Sequence, residues 1–182
     1  METFTEPRQF VENPRYFKDR HDTLAALDLR TIDEPIVDII DGFAALPHCF
    51  TVQSCYGHFL WAPEQDTYNL DLVPTKNTGC IRYRLAYIAF CIDNSPAGKA
   101  FCNSLAQIPA IDPDYVQFGS AEWFWKRYVN SYTLQLEPTR YKRKDEAILE
   151  HAEALHIQQR RGLFFSKLRD LLETQLNEHK AG

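Results

Sequence analysis

The apolar positions in the first quarter of the chain recur at helical spacing. Asn13 and Pro14 suit a helix start, because an asparagine oxygen caps free N–H groups and proline has no N–H to leave unpaired. They predict a first helix that runs to about Leu29. A second helix is predicted to reach about Leu46, because residues 31–34 have capping-box spacing and isoleucines follow at helical intervals.

The middle of the chain alternates apolar and polar positions, which is typical of strands. A strand is predicted from Cys49 to Cys55, and a long irregular loop follows it to Gly79. Residues 82–92 predict a central strand, because both of its faces become apolar along its length. A helix that opens at Ser95 and two more strands, over residues 115–119 and 129–137, complete this part.

The last forty residues have a helical period from about Arg143 to Glu178. At 1.5 Å per residue, an unbroken helix of that span would be about 54 Å long. A compact chain of this size has a radius of gyration of about 16 Å. The segment is therefore expected either to break, most simply near Gly162, or to project beyond the body and meet a partner.

These elements predict an α+β fold, with a single sheet, helices packed on it, two N-terminal helices and a long C-terminal helical segment. Residues 1–138 are expected to form the core. Residues 139–182 are expected to form a helical extension that packs on the core or on a partner, which includes a homo-oligomer formed through this helix.

Composition places the chain among globular proteins, with 45% hydrophobic and 25% charged residues in 182. The N-terminal sequence lacks the apolar segment of a secretory signal, and no run approaches the roughly 20 apolar residues of a membrane span. These features predict a cytoplasmic protein without a membrane partner. Five cysteines, an odd count, then predict reduced thiols rather than disulfides.

The charge pattern gives little support to a nucleic-acid partner. The net charge is -5, so any attraction to a polyanion must be local. The run RYKRK at residues 140–144, joined by Arg160 and Arg161, could contact an RNA backbone. The more ordinary interpretation is a solvated helix start with i to i+4 partners, and we prefer it.

The stretch FTVQSCYGHF, residues 50–59, carries the densest chemistry in the chain. Gly57 permits a sharp turn with positive φ, which can aim backbone N–H groups at an anion. Cys55 offers a nucleophile and His58 exchanges a proton near neutral pH. The turn is expected to bind a ligand with these groups and with hydrogen bonds from its neighbours, and two arginines further along the chain are placed to line the same pocket. The predicted ligand-binding residues are therefore Gln53, Ser54, Tyr56, Gly57, Arg82 and Arg84.

Other interpretations of the same residues remain open. The turn can be purely structural, with a buried thiol and a histidine that satisfies a carbonyl group. Zinc can bind to Cys55 and His58 together with His48 and Cys49, although no second closely spaced pair completes a tetrahedral set. The aromatic residues 123–125 are more typical of core or sheet cover than of a ligand platform. No glycine-rich nucleotide-binding motif is present in the sequence.

The order of motifs resembles the Tyw3 family, the methyltransferases of wybutosine synthesis on tRNA. A Leu-Asp pair at residues 27–28, an Asp-Glu helix start at 33–34, an aromatic-Thr strand at 50–51 and Ser-Cys-x-Gly at 54–57 all fall in register with that family. The resemblance covers roughly the first third of the chain. Within the loop, Gln53, Tyr56 and His58 stand where the family has two serines and an arginine.

The resemblance implies a Tyw3-like α+β fold and S-adenosylmethionine as the cofactor. It also implies a methyltransferase that acts on a modified nucleoside or a related small molecule, with tRNA as a partner that the net charge does not favour. In this hypothesis Cys55 and His58 are the catalytic residues and His58 is the general base. The alternative is a non-catalytic ligand-binding or assembly protein on the same fold, which oligomerises through its C-terminal helix.

Overall fold

The computed structural model describes residues 4–141 and 144–181, and it confirms the α+β fold. There are five α-helices in the described residues: α1 (Tyr16–Ala25), α2 (Val37–Ala45), α3 (Pro96–Leu105), α4 (Glu122–Arg127) and α5 (His151–Ala181). The strands of the same residues are β1 (Phe4–Thr5), β2 (Cys49–Cys55), β3 (His58–Leu60), β4 (Ile81–Arg84), β5 (Ala86–Ile92), β6 (Val116–Ala121), β7 (Ser131–Leu136) and β8 (Glu146–Leu149).

The strands form two antiparallel sheets, where the sequence predicted one. The larger has the order β1-β6-β7-β5-β2, and the smaller has the order β3-β4-β8. Both sheets and three helices share one apolar core, whose members include Phe43 of α2, Tyr83 of β4, Ile88 of β5, Phe101 of α3 and Phe164 of α5.

The second sheet arises because the strand predicted over residues 82–92 divides at Leu85. The buried Tyr83 hydroxyl accepts a hydrogen bond from the Ala86 N–H and donates one to the Leu136 carbonyl, both at 2.9 Å. These bonds fix a bend between β4 and β5, so each strand enters a different sheet. Alternation cannot reveal such a break, because apolar residues continue through it on both faces.

The helix predicted from about Arg143 begins at His151 in the described residues, and Arg143 itself lies outside them. Residues 146–149 alternate exposed and buried side chains and form β8, which pairs with β4. Helix α5 then runs unbroken from His151 to Ala181, so of the two alternatives expected from the sequence the break near Gly162 does not occur. With 31 residues it is about 46 Å long.

Most of the apolar side of α5 is covered by the chain's own core. Phe164, Leu168 and Leu172 are almost completely buried, so of the two arrangements expected from the sequence they pack on the core and do not form a free partner surface. Helix α2 approaches α5 closely at Gly42, and Arg169 of α5 forms an ion pair with Asp38 of α2 at 2.6 Å.

No helix of the described residues is long and apolar enough to cross a membrane.

Replacing Gly162 with alanine tests the continuity of α5. A Cβ atom at Gly162 would meet no heavy atom within 4 Å. Because alanine is favoured over glycine inside a helix, Gly162→Ala is expected to raise the free energy of unfolding by about 0.5–1 kcal/mol in urea denaturation. Gly42→Ala is the matched control, since its Cβ would lie 3.1 Å from Leu172 Cδ1 and the gain should vanish. A loss of stability in Gly162→Ala would contradict an unbroken helix.

Candidate functional site

The Cys55–His58 turn lies where the two sheets separate. β2 pairs with β5 of the larger sheet, with a register shift between Thr51 and Gln53, and β3 leaves the turn to join the smaller sheet. Gly57 has a φ of 92°, so the positive φ predicted at this position is confirmed. A side chain there would also be crowded, because a Cβ would lie 2.9 Å from the Ala86 Cβ. The fold therefore opens a cleft beside a sharply bent turn.

Asp33 joins Cys55 and His58 at the floor of this cleft. One ligand atom from each of the three residues lies within 4.8 Å of the others. Asp33 precedes a short 3-10 turn at Glu34–Ile36, but its side chain does not cap that turn. Its Oδ2 instead accepts a hydrogen bond from the Tyr56 N–H at 2.7 Å. The carboxylate is thus directed toward the thiol and the imidazole.

His58 is held in one orientation and keeps one nitrogen without a hydrogen bond. The ring is 1% exposed, and its Nδ1 lies 2.8 Å from the Asn69 carbonyl oxygen. Since a carbonyl oxygen only accepts, Nδ1 is the donor. Nε2 lies 3.5 Å from Asp33 Oδ2, which is the distance of an ion pair, and it makes no hydrogen bond within the described residues.

The cluster favours a charged His58 paired with a charged Asp33. Burial alone would lower the pKa of His58, but the neighbouring Asp33 carboxylate and Cys55 thiol outweigh it and raise that pKa to about 10. Burial alone would raise the pKa of Asp33, but His58 and the Tyr56 N–H outweigh it, so that pKa is lowered. The ring therefore carries its proton at neutral pH, and this state suits a proton donor or a cation better than the general base expected from the sequence.

The cleft above this cluster has a volume of about 1070 Å³ and both polar and aromatic walls. Five of the predicted ligand-binding or catalytic residues line it, and Asp33 joins them. These polar residues are Asp33, Gln53, Ser54, Cys55, His58 and Arg84. The aromatic residues are Phe4, Tyr68, Tyr87, Trp123 and Phe124. Aromatic faces beside a few converging polar groups are characteristic of a small-molecule site.

The remaining predicted site residues lie behind or outside the cleft. Tyr56 stacks on Phe165 with ring centroids 5.2 Å apart, and Gly57 presents its carbonyl group to α5. Arg82 lines a separate, smaller depression on the second sheet. Its neighbour Arg84 is directed to the cleft and packs over the Tyr68 ring at 4.7 Å.

Arg161 supports the turn from behind, a role that the sequence did not suggest. The side chain is almost completely buried, and its guanidinium packs over the rings of Tyr56 and Phe59, with its central carbon 4.1 and 5.0 Å from the centroids. Its Nη1 donates a hydrogen bond to the Gly57 carbonyl at 2.6 Å. Desolvation lowers the pKa of this arginine. The guanidinium therefore holds the turn from the side opposite the cleft.

The described arginines of the basic set have partners within the chain. Arg140 binds Glu153 at 2.7 Å, and Arg160 binds Asp112 at 2.9 Å. Arg161 is buried, and Lys142 and Arg143 lie outside the described residues. Lys144 is exposed and lines the cleft. The described arginines thus have partners within the chain, but these lie far along the sequence. The solvated helix start with i to i+4 partners was wrong, because residues 139–141 form a 3-10 turn and residues 146–149 form β8.

The aromatic residues 123–125 divide between cover and cleft. Phe124 is buried and packs with Ala89 and Ala121, as expected of sheet cover. Trp125 stacks edge-on against Tyr132 with centroids 6.0 Å apart. Trp123, however, is 61% exposed and lines the cleft. One member of the group is therefore placed to contact a ligand.

The zinc set considered from the sequence is not assembled in the fold. His48 and Cys49 lie at the start of β2, and Cys55 lies at its end, about 20 Å away at the rise of an extended strand. The Cys49 thiol is buried and donates to the Phe43 carbonyl at 3.4 Å. All five cysteines are free, which confirms the absence of disulfides expected from their odd count.

Comparison with known proteins gives structural similarity alone. No protein-family model and no curated protein matches the sequence. Two solved structures of the PH1069 protein from Pyrococcus horikoshii are similar to this chain. One is 12% identical with a TM-score of 0.48, and the alignment covers 87% of this chain and 91% of the PH1069 chain. The other is 13% identical with a TM-score of 0.44, and the alignment covers 94% of this chain and 95% of the PH1069 chain.

Proposed function

We propose that the protein is a Tyw3-like methyltransferase that binds S-adenosylmethionine and a modified nucleoside or related small molecule in the cleft. One observation carries the proposal. Two motifs of the resemblance, the Asp-Glu helix start and the Ser-Cys-x-Gly loop, are separated by about twenty residues in the sequence. Asp33 of the first and Cys55 of the second meet beside His58 at the floor of the cleft.

The residues of the cleft fit such ligands. Its volume of about 1070 Å³ is sufficient for a cofactor together with a nucleoside-sized substrate. Trp123 and Tyr68 offer exposed aromatic faces on which an adenine or another base can stack. Asp33 offers a carboxylate to a ligand hydroxyl or positive group. When bound, S-adenosylmethionine supplies an activated methyl group.

The chain's own groups orient the ligands and control a proton. The Tyr56 N–H and the Asn69 carbonyl fix the Asp33 carboxylate and the His58 ring. As an imidazolium, His58 holds a proton on Nε2, from which it can donate to a ligand oxygen or nitrogen at the cleft floor. Cys55 presents its thiol on the same surface. The protonated ring also suits the alternative function, a protein that binds the ligand without turnover.

Calorimetric titration with S-adenosylmethionine tests the binding proposal. We expect saturable binding by the unmodified protein, and no detectable heat at millimolar cofactor would remove the cofactor. Transfer of labelled methyl groups to nucleosides of bulk tRNA then separates the two functions. Binding with transfer supports the enzyme, and binding without transfer supports the non-catalytic protein.

Trp123→Ala tests the aromatic wall. Because stacking of a base on an aromatic ring contributes about 1–3 kcal/mol, this change is expected to weaken binding of S-adenosylmethionine or of the nucleoside about tenfold. Phe17→Ala is the matched control, since Phe17 is 72% exposed on α1 and does not line the cleft. Equal affinities in the two variants would show that Trp123 makes no stacking contact.

A further inference from the structure

We propose that Asp33, Cys55 and His58 form a binding site for a divalent transition-metal ion of the zinc class at the floor of the cleft. The three residues offer one oxygen, one sulfur and one nitrogen ligand within 4.8 Å of one another. This proposal goes beyond the proposed function and does not rest on it, because the site is defined by the chain alone.

The orientation of His58 is the strongest support for the site. The Nδ1–H group donates to the Asn69 carbonyl, so the neutral ring presents the lone pair of Nε2 to the cluster. Histidines that bind metals commonly donate their other N–H group to a carbonyl oxygen in this way. Nε2 is buried and has no hydrogen bond within the described residues, although it faces Asp33 Oδ2 at 3.5 Å. A metal ion bound here would replace the proton that Nε2 otherwise holds between the ring and the Asp33 carboxylate.

The spacing of the ligand atoms is compatible with a tetrahedral ion. Bonds of 2.0–2.3 Å to zinc place two ligands about 3.4–3.6 Å apart, which is the separation already present between Nε2 and Oδ2. The largest separation, 4.8 Å at most, must shorten by roughly 1 Å. The Cys55 side chain can supply this movement, because it is only partly buried and lines the cleft.

The ligand types select the class of metal. Thiolate and imidazole ligands favour zinc and related transition metals, whereas magnesium and calcium prefer oxygen ligands alone. Three protein ligands leave a fourth position open. In this site the open position would face the cleft, because Cys55 and His58 both line it. A three-ligand site with one open position is typical of catalytic zinc.

Metal titration of the purified full-length chain tests the proposal. Protein stripped with a chelator is titrated with zinc chloride and, separately, with cobalt chloride. We expect one ion per chain and a thiolate-to-cobalt charge-transfer absorption. Cys55→Ser and His58→Ala should each weaken binding at least about 100-fold. Circular dichroism checks that the His58 variant is folded, and the conservative Cys55→Ser change keeps the test valid if it is not.

Cys80→Ser and His48→Ala are the controls. Cys80 is an exposed thiol that could bind added metal at the surface, and His48 lies at the far end of β2. Both variants should bind as the unmodified protein does. The proposal is overturned if the unmodified chain binds no ion, or if binding survives Cys55→Ser and is lost in Cys80→Ser.

Discussion

Gly57→Ala is expected to lower the free energy of unfolding by about 3 kcal/mol. The φ of Gly57 is 92°, a conformation that costs an alanine about 1–2 kcal/mol. The added Cβ would also lie 2.9 Å from the Ala86 Cβ, 3.0 Å from the Tyr83 hydroxyl and 3.1 Å from the Ala86 nitrogen. These atoms are buried at the junction of the two sheets and have little room to move, so overpacking adds about 1–2 kcal/mol.

Gly79→Ala separates the two causes of that loss. Gly79 has a similar φ of 83°, but no heavy atom lies within 4 Å of its ideal Cβ position. This variant should lose only the conformational part, about 1–2 kcal/mol. Urea denaturation of both variants gives the comparison. If the two losses are equal, the turn at Gly57 is not packed as closely as the structure indicates.

Local signals in the sequence predicted the elements better than their arrangement. The Ser95 cap is confirmed, because its side chain accepts a hydrogen bond from the Gly98 N–H. The capping box predicted at residues 31–34 was wrong. Asp28 caps a 3-10 turn there, and Asp33 directs its carboxylate to Tyr56 instead. Thr31, which would cap the predicted helix, instead donates its hydroxyl to the Asp28 carbonyl, a local hydrogen bond that the capping pattern does not exclude.

The candidate site was predictable in part. The turn residues were identified because cysteine, glycine and histidine converge there, and Cys55 and His58 do line the cleft. Asp33 was missed as a site residue because an acidic residue near a helix start is common and needs no further role. The division of residues 82–92 between two sheets, which opens the cleft, depends on the hydrogen bonds of one buried tyrosine and leaves no periodic signal.

Arg161 was missed as a buried residue because its charge placed it with the basic run at residues 140–144. It lies four residues after Ile157 and three before Phe164, both of which are completely buried, so the helical period places it on the covered side of α5. The neighbouring Arg160 lies off that side and binds Asp112 at the surface. A charged residue in phase with a buried helix face is the sequence signal that could have identified it.

Arg161→Ala is expected to lower the free energy of unfolding by about 2–3 kcal/mol, because it leaves a cavity between Tyr56 and Phe59 and removes the donor to the Gly57 carbonyl. Arg160→Ala removes the same charge one position earlier. Its side chain is 32% exposed, so the loss should stay below about 1 kcal/mol.

Arg161→Met distinguishes packing from positioning. Methionine fills much of the volume and removes a buried charge, so stability should stay within about 1 kcal/mol of the unmodified protein. It cannot donate to the Gly57 carbonyl, however, so the turn loses its support from α5. Hydrogen exchange at the Tyr56 amide, which donates to Asp33, should therefore become faster in a chain that is otherwise stable. Unchanged exchange would mean that β2 and β3 alone hold the turn, and Arg161 would then be a packing residue without influence on the site.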